Sequence, residues 1–174
     1  MRKYLLLVVA IAAVSAVSCS KRETASDSTS KKDSPSAKDS PLAKAPSAAK
    51  SGWLTSYEQA QQEAKANHKL MLMDFTGSDW CGWCIVLEKE VFSKPKFQEY
   101  ASKNLVLLEL DFPRAKPIAA ETQAQNERLA RQYQIQGFPT IVVLNGNGKQ
   151  VGELGYIPGG PDAFIAQLEK LPKD

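Results

Sequence analysis

The chain holds a single histidine, His68, and three cysteines, Cys19, Cys81 and Cys84, in 174 residues. Structural zinc takes four ligands, usually two CxxC pairs or one pair with two histidines. No second pair exists here, which speaks against a metal site. Covalent haem attachment needs a histidine directly after the second cysteine, and Ile85 stands there. No apolar run approaches the ~20 residues that an ordinary membrane-spanning helix requires; the stretch from Tyr4 to Val17 falls short of it. There is no internal repeat, and residues 20–50 contain no aromatic side chain. Nor does one sign of charge dominate. Residues 1–50 carry nine Lys or Arg against four Asp or Glu, and residues 51–174 carry thirteen against fifteen. The overall +3 therefore belongs to the first fifty residues and gives no case for a nucleic-acid surface.

What is present at the start is a leader. Met1-Arg2-Lys3 is basic, Tyr4 to Val17 is mostly apolar, and Ser18-Cys19-Ser20 follows. Residues 1–18 read as an export signal. Its end resembles a bacterial lipoprotein cleavage site, which implies that Cys19 becomes the lipid-bearing first residue. Acyl chains contribute ~0.8 kcal/mol per buried methylene, so several chains anchor stably. Ordinary secretory cleavage nearby is the alternative, and it would leave Cys19 a free thiol on an exported protein. Residues 20–50 hold eight serines, six alanines, three prolines and seven Lys or Arg. Such a composition buries too little apolar surface to offset ordering entropy. Residues 19–50 are thus expected to be a disordered tether, with a mean span of roughly 30 Å. Residues 51–174 remain for one domain, enough for a single core.

Within that domain, Trp80-Cys81-Gly82-Trp83-Cys84 follows the apolar run Leu70-Met71-Leu72-Met73-Asp74-Phe75. The context predicts a buried strand, a loop and a helix starting at Cys81. A helix start leaves N–H groups unpaired and carries partial positive charge, so a thiolate at Cys81 is stabilised. Cys84 lies one turn along, close enough to close a disulfide with Cys81 and exchange it with another molecule's. A purely structural disulfide here would close so small a loop that its chain-entropy benefit is weak.

The remaining pattern alternates. Ser56 to Asn67 suits a helix capped by Ser56, and Lys69 to Phe75 a central strand. Cys81 to about Phe92 suits the site helix, with Leu87 and Val91 facing the core. Pro95 opens a helix containing Phe97 and Tyr100; Leu105 to Leu110 is a second buried strand; residues 111–120 form a loop; Glu121 to Tyr133 is a polar helix with Leu129 inward. Ile141 to Leu144 and a strand containing Gly152 and Gly155 flank the turn Asn145-Gly146-Asn147-Gly148-Lys149. Pro161 begins a last helix lined by Phe164, Leu168 and Leu171. That order suits a mixed sheet with helices on both faces.

Asp74-Phe75 before the WCGWC motif, Gly137-Phe138-Pro139-Thr140 before a strand, the hairpin, and the closing glycines together resemble the thioredoxin-fold family, in its extracytoplasmic lipoprotein-type branch. The resemblance runs from about Ser51 to Lys173. WCxxC and FPT, about 55 residues apart, are its most specific part. It implies an α/β, three-layer, thioredoxin-like fold with a mixed central sheet. It implies Cys81 as the exposed nucleophile, Cys84 as the resolving thiol, and a cis bond before Pro139. Trp80, Gly82, Trp83, Phe138 and Pro139 would then form the substrate rim. This chain has Gly82-Trp83 between its cysteines where thioredoxin has Gly-Pro, and Asp74 stands seven positions before Cys81 rather than six. A buried Asp74 without a charge partner has a raised pKa and could exchange a proton with Cys84; an exposed strand end is the other reading. Asp79 is expected to face water, and His68 to be a surface residue. The implied activity is thiol–disulfide exchange on disulfide-containing exported proteins, by a monomer with no metal or organic cofactor. The protein would be extracytoplasmic and anchored by lipid on Cys19, facing the periplasm if two membranes are present, and a redox partner would restore it. The alternative is a binding module for exported clients whose cysteine pair stays oxidised.

Overall fold

Three apolar runs, each buried along nearly its whole length, set the centre of the molecule. In the computed structural model, which describes residue 50 and residues 52–172, these runs are strands. The signal reading of residues 1–18, the lipid-bearing Cys19 and the tether up to residue 49 lie outside the described residues. In chain order the elements are β1 (Trp53–Leu54), α1 (Tyr57–Asn67), β2 (Leu70–Thr76), α2 (Gly82–Leu87), α3 (Pro95–Asn104), β3 (Leu105–Asp111), α4 (Ala120–Gln132), β4 (Thr140–Leu144), β5 (Gln150–Leu154) and α5 (Gly160–Leu168). A π-helical turn, Glu88–Phe92, prolongs α2. The sheet order is β1-β3-β2-β4-β5. β3 runs parallel to β1 and β2, while β4 is antiparallel to β2 and β5.

Period-two alternation gives β2 two different faces. Leu70 and Leu72 join Leu87, Val91, Phe92, Phe97, Phe164 and Leu168 in one core. Met71, Met73 and Phe75 join Ala60, Ala64 and Leu129 in the other. Helices α1 and α4 therefore cover one face, and α2 with its π-helical turn, α3 and α5 the other. The mixed sheet and three layers expected from the sequence are thus found. On the second face Phe92, Phe97 and Phe164 form a ring cluster with centroids 5.0–6.0 Å apart.

Local signals explain several boundaries. Ser56 Oγ accepts the Gln59 N–H at 3.3 Å and caps α1; His68, exposed as expected, closes it with φ 52°. Pro95 sits in the first turn of α3. In the hairpin, Asn145 Oδ1 accepts the N–H groups of Asn147 and Lys149 at 3.1 and 3.0 Å, and Gly148 takes φ 80°.

Three expectations need correction. The helix does not begin at Cys81, which is its N-cap, and α-geometry gives way after Leu87 to the π-helical turn. The last strand stops at Leu154, so Gly155 lies beyond it. Leu171 is past the end of α5 but still packs against the core. β1 was not foreseen, since two residues are too few to show a period.

Candidate active site

Cys81 and Cys84 are joined as a disulfide with Cα atoms 5.3 Å apart. The link follows from their positions, the N-cap and first turn of α2, which bring the two side chains to one side of the helix. Cys81 Sγ accepts the Cys84 N–H at 3.3 Å, so one of the unpaired donors of the helix start points at this sulfur. In this oxidised state Cys81 is not exposed: it shows 7% of its surface and Cys84 5%. The bond turns each sulfur against the other, so exposure does not tell the two apart here.

The loop before Cys81 is tightly held. Gly77 O accepts the N–H groups of Trp80 and Cys81 at 3.2 and 2.9 Å. Ser78 donates through N–H and Oγ to the two Asp111 oxygens at 2.9 and 2.7 Å. Trp80 folds back over Gly77, where a Cβ would come within 2.5 Å of its ring; glycine is what lets this loop close. The Trp80 indole donates to Phe112 O at 2.8 Å, and Arg114 stacks over its ring at 3.7 Å. Asp79 accepts the N–H groups of Arg114 and Ala115 at 3.0 and 2.7 Å. These bonds hold its carboxyl below the ordinary value and fasten the 113–116 loop beside the site.

Two aromatic groups adjoin the pair, one around Trp83 and one around Trp80. Among the described residues Trp83 is the most exposed large apolar side chain, at 61%, and its ring lies 5.1 Å from that of Tyr156. Tyr156 Oη donates to Glu90 Oε2 at 2.5 Å. The Phe138 ring lies 5.9 Å from Trp80, edge-on, and 5.1 Å from Phe112. The Phe138–Pro139 bond is cis, as the resemblance implied. At Gly82 a Cβ would meet nothing within 4 Å, so no steric demand fixes glycine between the cysteines.

Asp74 is buried, at 2% exposure; the exposed strand-end reading falls. It shares the Leu72 face of β2, the face covered by α2. Glu109 stands beside it in register on β3. On the helix side, Glu88 follows Cys84 by one turn and donates its N–H to Cys84 O. Lys50 Nζ joins Glu88 Oε2 and Glu109 Oε1 at 2.8 and 2.9 Å. Burial pushes the Asp74 carboxyl up to about 7; Lys50 opposes this, while Glu109, Glu88 and Asp111 add to it. Its Oδ1 is buried without a hydrogen-bond partner among the described residues. Burial also works against the Lys50 charge, but Glu109, Glu88 and Asp74 outweigh it and hold the ammonium above its ordinary value.

Of the residues predicted from sequence, Trp80, Gly82 and Trp83 adjoin the redox pair in the chain, Phe138 packs edge-on against Trp80 and precedes Pro139, and Asp74 lies on the sheet face that α2 covers. Sequence reasoning missed Lys50, Glu88, Glu109, Arg114, Asp111 and the Tyr156–Glu90 contact. For Glu109 a signal existed: an acid inside the apolar run Leu105-Val106-Leu107-Leu108-Glu109-Leu110, matching Asp74 in its own run. Among the described residues no group of His, Cys, Asp and Glu is arranged to hold a metal ion.

Comparison with known proteins agrees with this geometry. Residues 57–172 match the thioredoxin-like domain family. The chain is 34% identical over 128 residues to the disulfide bond reductase DsbH of Chlamydia pneumoniae, covering 74% of this chain and 77% of that one. A solved structure of a DsbH oxidoreductase superposes with a TM-score of 0.64 and 33% identity, over 76% of this chain and 88% of the other. The thiol:disulfide interchange protein DsbD of Photorhabdus laumondii is 29% identical over 69% of this chain, which spans only 20% of that protein. A paired CxxC disulfide at a helix start, on a five-stranded mixed sheet, in a chain so related, leads to one assignment: this chain belongs to the thioredoxin-like family, as a thiol–disulfide oxidoreductase with Cys81 and Cys84 as its redox pair.

Proposed function

We propose that the protein reduces disulfides of exported proteins, with Cys81 as nucleophile, Cys84 as resolving thiol and Asp74 as the group that takes the resolving proton. The observation that carries this is the Cys84 N–H directed at Cys81 Sγ, with buried Asp74 on the sheet face beneath the same helix. In the reduced enzyme that N–H favours the anion on Cys81. The Cys81 thiolate attacks one sulfur of a client disulfide and expels the other as a thiolate, forming a mixed disulfide. Cys84 then loses its proton to the Asp74 carboxylate and attacks Cys81 Sγ. The Cys81–client bond breaks, the second client thiol leaves, and the enzyme retains the Cys81–Cys84 disulfide. The client gains two electrons and the enzyme loses two, so a separate dithiol partner must restore it.

Trp80, Gly82, Trp83, Phe138 and Pro139 form the rim that receives the client. The Trp80–Phe138 edge contact, 5.9 Å between rings, supports a rim in which an extended client segment bonds to the 138–139 backbone. The reducing direction is supported by the similarity to a disulfide bond reductase. Equilibration with glutathione tests it: a potential near thioredoxin's, about −270 mV, is expected, and one near −120 mV makes the protein an oxidant instead.

The export leader and Cys19 support a lipid-anchored protein of the extracytoplasmic space. Cys19→Ser is expected to abolish incorporation of labelled palmitate and to move the protein from the membrane to the soluble fraction. Unchanged labelling would remove the anchor from this reading.

A further inference from the structure

A lysine reaches the carboxylates under the redox pair from outside the sheet and the helices. Lys50 precedes β1, yet its ammonium sits between Glu88, one turn beyond Cys84, and Glu109, the register neighbour of Asp74. Its Nζ also lies 5.2 Å from the centroid of the buried Trp53 ring, a cation–π distance. Three partners from β1, β3 and the α2 extension therefore fix one cation. We propose that Lys50 is a positioning residue for disulfide exchange: its ammonium clamps Glu88 to Glu109 and balances the acids around Asp74, so that the Asp74 carboxylate can form and accept the Cys84 proton.

The proposal rests on the reading of Asp74 as proton acceptor. The charged groups that act on Asp74 are Lys50, Glu109 and Asp111 from β3, and Glu88 from the helix extension. β4 presents Ile141 in register, which is apolar. Asp111 has its own partners in Ser78 and Lys116, so Lys50 is the cation that answers the other three acids. Without it, the buried Asp74 and Glu109 and the part-exposed Glu88 lose their shared cation, and each disfavours the charge of the next.

Two measurements on the full chain test this. In the oxidised protein, where the paired cysteines do not titrate, carbon-13 NMR of the Asp74 carboxyl reports its midpoint directly. Lys50→Met is expected to raise that midpoint by about one pH unit or more. Lys50→Arg is expected to restore it, and Glu109→Gln to move it the opposite way. A merely structural role for Lys50 would not give shifts of opposite sign. The second measurement is the pH profile for resolving a preformed mixed disulfide. Lys50→Met moves its midpoint upward in the parent protein and adds nothing in an Asp74→Asn background. An unmoved or lowered Asp74 midpoint in Lys50→Met overturns the proposal, as does an equal shift of the resolution profile without Asp74. A flattened profile in Asp74→Asn beside a parent-like profile in Lys50→Met removes the Lys50 role alone. A parent-like profile in Asp74→Asn removes the reading beneath it, and this proposal with it.

Discussion

Cys84→Ala turns the protein into a trap. Clients are attacked through Cys81 and stay attached, because no second thiol is present to release them. Non-reducing gels of the variant should show a ladder of adducts that collapses on adding dithiothreitol. Cys81→Ser should show none, and its insulin reduction should fall by ~10³-fold or more, since a serine hydroxyl is hardly ionised and each tenfold loss is about 1.36 kcal/mol of barrier. The asymmetry follows from position rather than exposure, since the two side chains are almost equally covered in the disulfide. Cys81 is the N-cap, and its sulfur already accepts an N–H. Cys84 sits inside the first turn, with Glu88 one turn beyond it. Alkylation of the reduced protein gives an independent check: Cys81 should react with a midpoint below the ~8.5 of a free thiol. Trapping by Cys81→Ala in place of Cys84→Ala reverses the two roles.

The parts of this protein that could be read from sequence are those whose physics is local. β2 and β4 are buried on both faces and announce themselves as apolar runs. The hairpin is written in Asn145 and Gly148, one bonding its own turn and the other taking a positive φ. The CxxC spacing places two sulfurs within bonding reach whatever surrounds them. What was hidden depends on distant chain segments. The π-helical turn carries Val91 and Phe92 into the second core, against Phe97 and Phe164, and its five residues give no separate signal. Lys50 stands 38 residues before Glu88, at the end of a stretch whose composition suits a solvated linker. Only the folded sheet brings the two together. The extra residue of the 76–79 loop is likewise legible as a departure but not in its effect. In the fold, Trp80 turns back over Gly77 and docks on Phe112 and Arg114, and Asp74 is buried on the Leu72 face.

Asp74→Asn should stabilise the oxidised protein by about 4 kcal/mol at pH 8 and change it little at pH 4. The carboxyl lies near 3.8 in the unfolded chain and at about 7 when folded, with burial the main cause. The folded state therefore binds this proton more tightly than the unfolded chain does. Its contribution is complete below the unfolded value, shrinks as pH rises, and is gone above the folded value, at a slope of about 1.36 kcal/mol per pH unit. Asparagine keeps the size of the side chain and never ionises, so the gap between variant and parent should open between pH 4 and pH 7. Urea unfolding of both oxidised proteins at pH 4, 6 and 8 isolates this group, because every other titration is shared. A gap that does not grow with pH would mean that Asp74 carries no displaced proton, and the resolving step would need another acceptor. The same substitution should slow release of a trapped client at neutral pH, where the parent carboxylate is about half formed. A buried acid that costs stability above pH 4 fits the role proposed for it: the carboxylate formed there would take the proton of Cys84, itself only 5% exposed in the disulfide.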